Sequence, residues 1–158
     1  KHQEGFVIRY DGGTRVKIKG EEYLRIHRLV SHVTPLSIWE CMKNGDNLEL
    51  IRKELPEEFW GDFDQIHSLL WFKVADFVVR VTDLGYTTLG MTDKEVGLQL
   101  HTYPKDIRSL IFPYRKVKDI LLDKKARRQV FDRVRPTGNH LPGYTPTSSM
   151  NALIEESL

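Results

Sequence analysis

Residues 5 to 24 read GFVIRYDGGTRVKIKGEEYL, and a change of period within them decides the fold. GFVIRY and TRVKIK have strand character, and Asp11-Gly12-Gly13 between them is turn chemistry, so the pair reads as a β-hairpin. A three-residue loop sets Ile8 opposite Val16 and Phe6 opposite Ile18, apolar against apolar, with Val7, Arg9, Arg15, Lys17 and Lys19 on the second face. A two-residue loop sets Glu4 opposite Lys19 instead, and the sequence leaves both registers open. From Gly20 onward the apolar spacing lengthens from 2 to roughly 3.6 residues. An isolated two-stranded hairpin is marginal in water, and the residues beyond Gly20 supply no further strands, so the hairpin's partner strands are expected to be missing.

The chain beyond Gly20 reads as helix after helix to about residue 135. Glu21-Glu22 suit a helix N-terminus, and Tyr23, Ile26, Val30 and Val33 form one apolar stripe, with Arg25, Arg28 and His32 on another face. Thr34-Pro35 supplies an N-cap with proline at the first helical position; Ile38, Trp39 and Met42 give the buried side, and Gly45 the stop. Asp46 opens a short helix ending before Pro56. Phe63, Ile66, Leu70, Val74, Phe77, Val81 and Leu84 mark a long central helix, which Leu69, Trp71, Phe72 and Val78 make apolar nearly all round until Gly85. Thr92-Asp93-Lys94-Glu95 is a capping box, and Pro104 and Pro113 punctuate the elements after it. The segment after Arg135 is rich in Pro, Gly, Thr and Ser. It is expected to be a mobile tail, although Met150, Leu153 and Ile154 offer a weak helical pattern that could dock. The fold class is therefore mainly α: an N-terminal hairpin over 1–20, a helical domain over 21–136 and a flexible tail over 137–158.

Composition bounds the function. A chain of 158 residues that is 40% hydrophobic suits one domain, or one domain with a fragment of another, and it begins at Lys1, as a cut piece of a larger protein would. One cysteine, Cys41, excludes an internal disulfide framework. No run reads as a signal peptide or membrane span, which makes a cytoplasmic setting without membrane partners the expectation. A formal charge of +2 is mild, so its distribution matters more than its total.

The chemistry sits in the hairpin. An enzyme that moves an adenylyl group must offset charge building on the α-phosphate, and ammonium groups on a rigid strand do so well. Lys17 and Lys19 fall on one face of their strand, and Glu4 is the nearby carboxylate for a hard divalent metal. The ordinary reading of two lysines at i and i+2 is a solvated strand face.

Resemblance adds to this. Glu4-Gly5-Phe6-Val7 resembles motif IV of the covalent nucleotidyltransferase superfamily, and Lys17-Ile18-Lys19-Gly20 its motif V, in matching order and separation. The continuation Glu21-Glu22-Tyr23-Leu24-Arg25-Ile26-His27 is similar to the way ATP-dependent RNA ligases of the T-even phage type leave motif V for a helical C-terminal domain, and Thr34-Pro35-Leu36-Ser37-Ile38-Trp39-Glu40 resembles a segment of that domain. DNA ligases and capping enzymes typically continue with an OB-fold, which this sequence lacks the strands to build. The resemblance, over residues 4 to about 135, makes the hairpin the remnant of a nucleotidyltransferase domain. It implies ATP and Mg2+ or Mn2+ as cofactors, Glu4 binding the metal, and Lys17 and Lys19 contacting the adenylate phosphates as catalytic residues. It also implies sealing of an RNA 5′-phosphate to a 3′-hydroxyl through enzyme-AMP and RNA-adenylate intermediates. Motif I, Lys-x-Asp-Gly, is absent. Asp11-Gly12 is the only Asp-Gly pair, with Arg9 where the lysine would stand, and a guanidinium stays protonated. The chain alone is therefore expected to be inactive, its partner being a missing N-terminal catalytic half.

Between Lys105 and Arg135 eleven lysines and arginines face four aspartates, so most of the positive balance is local. Lys116, Lys118, Lys124, Lys125, Arg127 and Arg128 are the candidate RNA-binding residues, for tRNA-like RNA or broken single strands. A solvated helix face with i to i+4 pairs is the plainer alternative. Tyr103 and Tyr114 flank the region and are expected to pack, as are Trp39, Trp60 and Trp71. His27, His67 and His101 show no zinc spacing, and no structural metal is expected. A stand-alone RNA-binding or protein-interaction helical domain without catalysis is the competing reading. No nucleophile elbow, P-loop or HExxH motif occurs.

Overall fold

Strands β1 (Gly5–Arg9) and β2 (Arg15–Lys19) pair antiparallel with Phe6 opposite Ile18, Val7 opposite Lys17, Ile8 opposite Val16 and Arg9 opposite Arg15. This computed structural model describes residues 5–158, and within them every side chain except those of Ile18, Lys19 and Ser157. The register is the one set by a three-residue loop. The Tyr10 N–H donates to the Thr14 carbonyl at 2.9 Å and the Gly13 N–H to the Tyr10 carbonyl at 2.9 Å. Gly13, at φ +82°, takes the left-handed position such loops require. Among the described residues no third strand joins the pair, and Phe6, Val7, Ile8 and Val16 are all exposed.

Gly20 ends the hairpin and α1 (Glu21–Ser31) begins at once, its first turn carrying Glu21 and Glu22. Helix α2 (Pro35–Asn44) starts where the Thr34 hydroxyl accepts from the Ser37 N–H at 3.2 Å and stops at Gly45, φ +78°. Helix α3 (Leu48–Glu54) is capped by Asn47 rather than Asp46, because the Asn47 amide oxygen reaches the Leu50 N–H at 3.2 Å. A 3-10 turn leads into α4 (Trp60–Thr87), the 28-residue spine of the molecule. The Thr92–Glu95 capping box opens α5 (Asp93–Gln99). Then come α6 (Ile111–Val117), with Pro113 in the first turn where its missing N–H costs no bond, α7 (Lys124–Arg133), capped by Asp123, and α8 (Ser148–Ser157), capped by Thr147. Among the described residues no helix is long and apolar enough to cross a membrane.

Helix α4 buries Phe63, Ile66, Leu70, Val74 and Val81 at helical spacing, and α2, α6 and α7 pack around it. Two expectations about this helix are corrected. Gly85 does not end it; the helix runs on to Thr87, and Gly85 is buried because the Tyr114 ring lies where a Cβ would be. Nor is the helix covered all round, since Trp71 is 47% and Phe72 75% exposed. Trp71 is thus not a core residue. Trp39 and Trp60 do pack, their indole N–H groups donating to the Phe131 carbonyl at 2.8 Å and the Leu55 carbonyl at 3.0 Å.

In place of the mobile tail expected from composition, residues 137–158 lie against the helices. Leu141 and Met150 are buried and Tyr144 and Leu153 pack on the core. The anchor is Asp62, a fully buried carboxylate that accepts from the Tyr144 hydroxyl at 2.9 Å, the Thr147 N–H at 2.9 Å and the Thr147 hydroxyl at 2.6 Å. A buried charge is tolerable when donors surround it, and the residues from 144 to 147 bring three.

Candidate functional site

The register decides which hairpin side chains share a face. With period 2, Val7 and Arg9 on β1 stand beside Lys17 and Arg15 on β2, and Lys19 occupies the next register position, opposite Gly5. Lys17 is exposed. Arg9 and Arg15 directly oppose each other, an arrangement that costs stability unless an anion or solvent relieves it. The one described carboxylate of the hairpin, Asp11, sits in the loop. Glu4 lies outside the described residues, as does the side chain of Lys19. Among the described residues no group of three or more histidine, cysteine or acidic side chains is placed to hold a metal. The described part of the hairpin therefore carries a positively charged face, with its one described carboxylate in the loop.

The basic segment divides when its side chains are followed individually. Lys116, Lys118, Lys124, Lys125 and Arg128 are exposed, near the end of α6 and along α7. Lys118 closes α6 in the left-handed region, φ +61°, with its ammonium 5.5 Å from the Tyr114 ring centroid. Arg128 comes within 3.8 Å of Asp132, which is already paired with Lys43 at 2.6 Å. Arg127 is different. It donates to the Met42 carbonyl at 2.6 Å and lies over the Phe131 ring, so it satisfies the C-terminal carbonyls of α2 instead of facing solvent. Arg115 is likewise internal, bonded to Asp93 at 2.7 Å and to the Thr88 carbonyl at 2.6 Å.

Electrostatic environments elsewhere are structural. Burial first, and then the hydrogen bond to Asp62, raise the Tyr144 hydroxyl well above the ordinary phenol value. The hydrogen bond from Arg80, at 2.6 Å, holds the Asp106 carboxyl below the usual carboxylate range. Burial raises the Cys41 thiol, which argues against a reactive thiolate. Of the flanking tyrosines, Tyr114 is buried, while Tyr103 is half-buried with its hydroxyl 3.5 Å from the Gln99 side chain. His27 lies beside Tyr23 and His67 beside Phe63, consistent with boundary positions.

One group is not legible in the sequence. Phe72 and Lys73 on α4 and Arg133 and Arg135 at the end of α7 line a common notch. Phe72 lies off the main stripe of α4, among the residues that make the helix apolar nearly all round, so the sequence alone does not mark it as exposed. Comparison with protein-family models, with curated proteins and with solved structures found no match to this chain.

Proposed function

We propose that this chain is the C-terminal part of an ATP-dependent RNA ligase. In this reading the hairpin supplies Lys17 and Lys19 to the adenylate phosphates and Glu4 to the metal, and the helical body holds tRNA-like RNA or a broken strand, in a cytoplasmic setting. The observation that carries the reading is the hairpin itself. Its register gathers Arg9, Arg15 and Lys17 on one face with no described carboxylate on either strand, and it passes at Gly20 straight into a helix. A face of uncompensated cations on a rigid strand pair suits a polyphosphate. The exposed Phe6, Ile8 and Val16 on the other face suit a neighbouring layer, which a catalytic half would provide.

On this reading the chain's own contribution is positioning and charge. Lys17 stabilises negative charge building on the phosphate, and the exposed lysines of α6 and α7 steer the RNA backbone. The nucleophilic lysine belongs to the catalytic half. The test is sealing of a nicked RNA by the intact enzyme, with this chain joined to a half that carries Lys-x-Asp-Gly. Lys17→Ala and Lys19→Ala should each abolish sealing while leaving the helical circular-dichroism signal unchanged. Normal sealing by both variants would remove the assignment. So would an AMP-labelled band on the isolated chain after incubation with ATP.

A further inference from the structure

We propose that the notch between α4 and the end of α7 takes an unpaired nucleotide of single-stranded RNA, with its base on the Phe72 ring and its backbone phosphates on Lys73, Arg133 and Arg135. The notch has a volume of about 360 Å³, at the small end of ligand-sized pockets. A lone exposed aromatic is unremarkable on a protein surface. Phe72 is 75% exposed in the company of three cations, and that combination is the working unit of single-strand recognition: a flat ring for a base and positive charge for the backbone.

The two arginines are oriented mainly by uncharged groups, although Asp106, paired with Arg80, lies close enough to interact with the Arg133 charge. Arg133 donates to the Gln129 carbonyl at 3.3 Å and the Ser109 hydroxyl at 3.1 Å, both uncharged acceptors. The Arg135 guanidinium lies 5.5 Å from the Trp39 ring centroid. Lys73 is exposed on the turn beside Phe72. The one carboxylate in the lining, Asp76, sits 3.7 Å from Arg80, so its charge is partly met from outside the notch. Guanidinium groups oriented by neutral partners suit phosphate oxygens.

Chemistry selects the strand form. A duplex presents its backbone and leaves Phe72 without a partner, whereas an unstacked base offers a π-face. An acidic peptide would satisfy the cations but not the ring. The lining of the notch includes none of the exposed lysines of α6 and the start of α7, so the two surfaces are made of different residues. The inference rests on the RNA-binding part of the reading above and gives it a base contact.

The experiment measures binding of the full chain to a labelled short single-stranded RNA, the same strand with abasic positions, its duplex and a tRNA, over a salt series. Phe72→Ala should weaken single-strand binding about tenfold while leaving the abasic strand and duplex unaffected, and Phe72→Trp should restore it. Lys73→Ala should lower the single-strand salt slope by about 0.7. Phe72 is exposed, so these variants are expected to keep the wild-type circular-dichroism spectrum. If Phe72→Ala binds the single strand as wild type does while tRNA still binds, the notch is wrong and the RNA reading stands. If no RNA binds, both fall. Displacement of the strand by polyglutamate as readily as by unlabelled RNA overturns the base contact in favour of an acidic peptide.

Discussion

The carboxylate of Asp62, in the first turn of α4, accepts a 2.6 Å hydrogen bond from the hydroxyl of Thr147, the residue that caps α8 85 positions later. Its other oxygen takes the Tyr144 hydroxyl and the Thr147 N–H. One buried charge thus fixes the C-terminal segment. Asp62→Ala should cost about 3 kcal/mol in urea unfolding, because it removes a charged acceptor and leaves buried donors unpaired. It should also speed protease cleavage within residues 137–158. Asp62→Asn, which keeps one acceptor oxygen, should cost less.

Gly85→Ala should destabilise the protein, although alanine favours helix over glycine by about 1 kcal/mol. The added methyl has no room beneath the Tyr114 ring, and overpacking of this kind costs about 1–3 kcal/mol. In a Tyr114→Ala background the same substitution should become neutral or stabilising. A double-mutant cycle by thermal unfolding measures the difference; a stabilising Gly85→Ala in the wild-type background would contradict the packing.

Asp106 gives a pH dependence. Its folded value is depressed by Arg80, so the stabilisation is fully present above the unfolded carboxylate value of about 3.9 and is lost as pH falls through the lower folded value. Wild type and Asp106→Asn should therefore differ in stability at neutral pH and converge in strong acid. Both groups are partly exposed, so the difference should also shrink with added salt.

Arg127 and its neighbours should separate cleanly. Arg127→Ala should cost about 1–3 kcal/mol, since the Met42 carbonyl at the end of α2 loses its charged donor and is left with the Gly45 N–H at 3.3 Å. Lys124→Glu with Lys125→Glu should leave the fold intact or stabilise it slightly, because both positions lie in the first turn of α7, where negative charge is favoured. The double variant should lose tRNA affinity, with a salt slope reduced by about 0.7–0.9 for each phosphate contact removed. Unchanged tRNA binding would exclude these lysines from the RNA surface.

What could be read from the sequence was local. Thr34-Pro35, Gly45 and the Thr92–Glu95 box act within four residues and delimit their helices as expected, and the apolar-on-apolar pairing of the hairpin is the register found. The features that escaped depend on partners far along the chain. Gly85 carries no sign of Tyr114, Arg127 none of the end of α2, and Tyr144 and Thr147 none of Asp62. A Pro- and Gly-rich segment reads as mobile until a buried acceptor claims its donors. Phe72 is the converse case, an apolar residue off the main stripe of an all-round apolar helix, whose exposure is set by which side of α4 its neighbours leave open. Strand alternation, a local rule, put Lys17 on the face it shares with Arg15 and Arg9; Glu4 and the Lys19 side chain lie outside the described residues.

The hydroxyl of Tyr23 reaches Glu156 at 3.1 Å, so the first and last helices of the body meet. The helical part of the chain thus closes on itself where α1 meets α8. A circular permutant should be able to join those ends with a short linker from residue 158 to residue 21 and open instead at Gly90, an exposed turn residue with no neighbour within 4 Å of a would-be side chain. The start of α1 and the end of α8 thus share one neighbourhood.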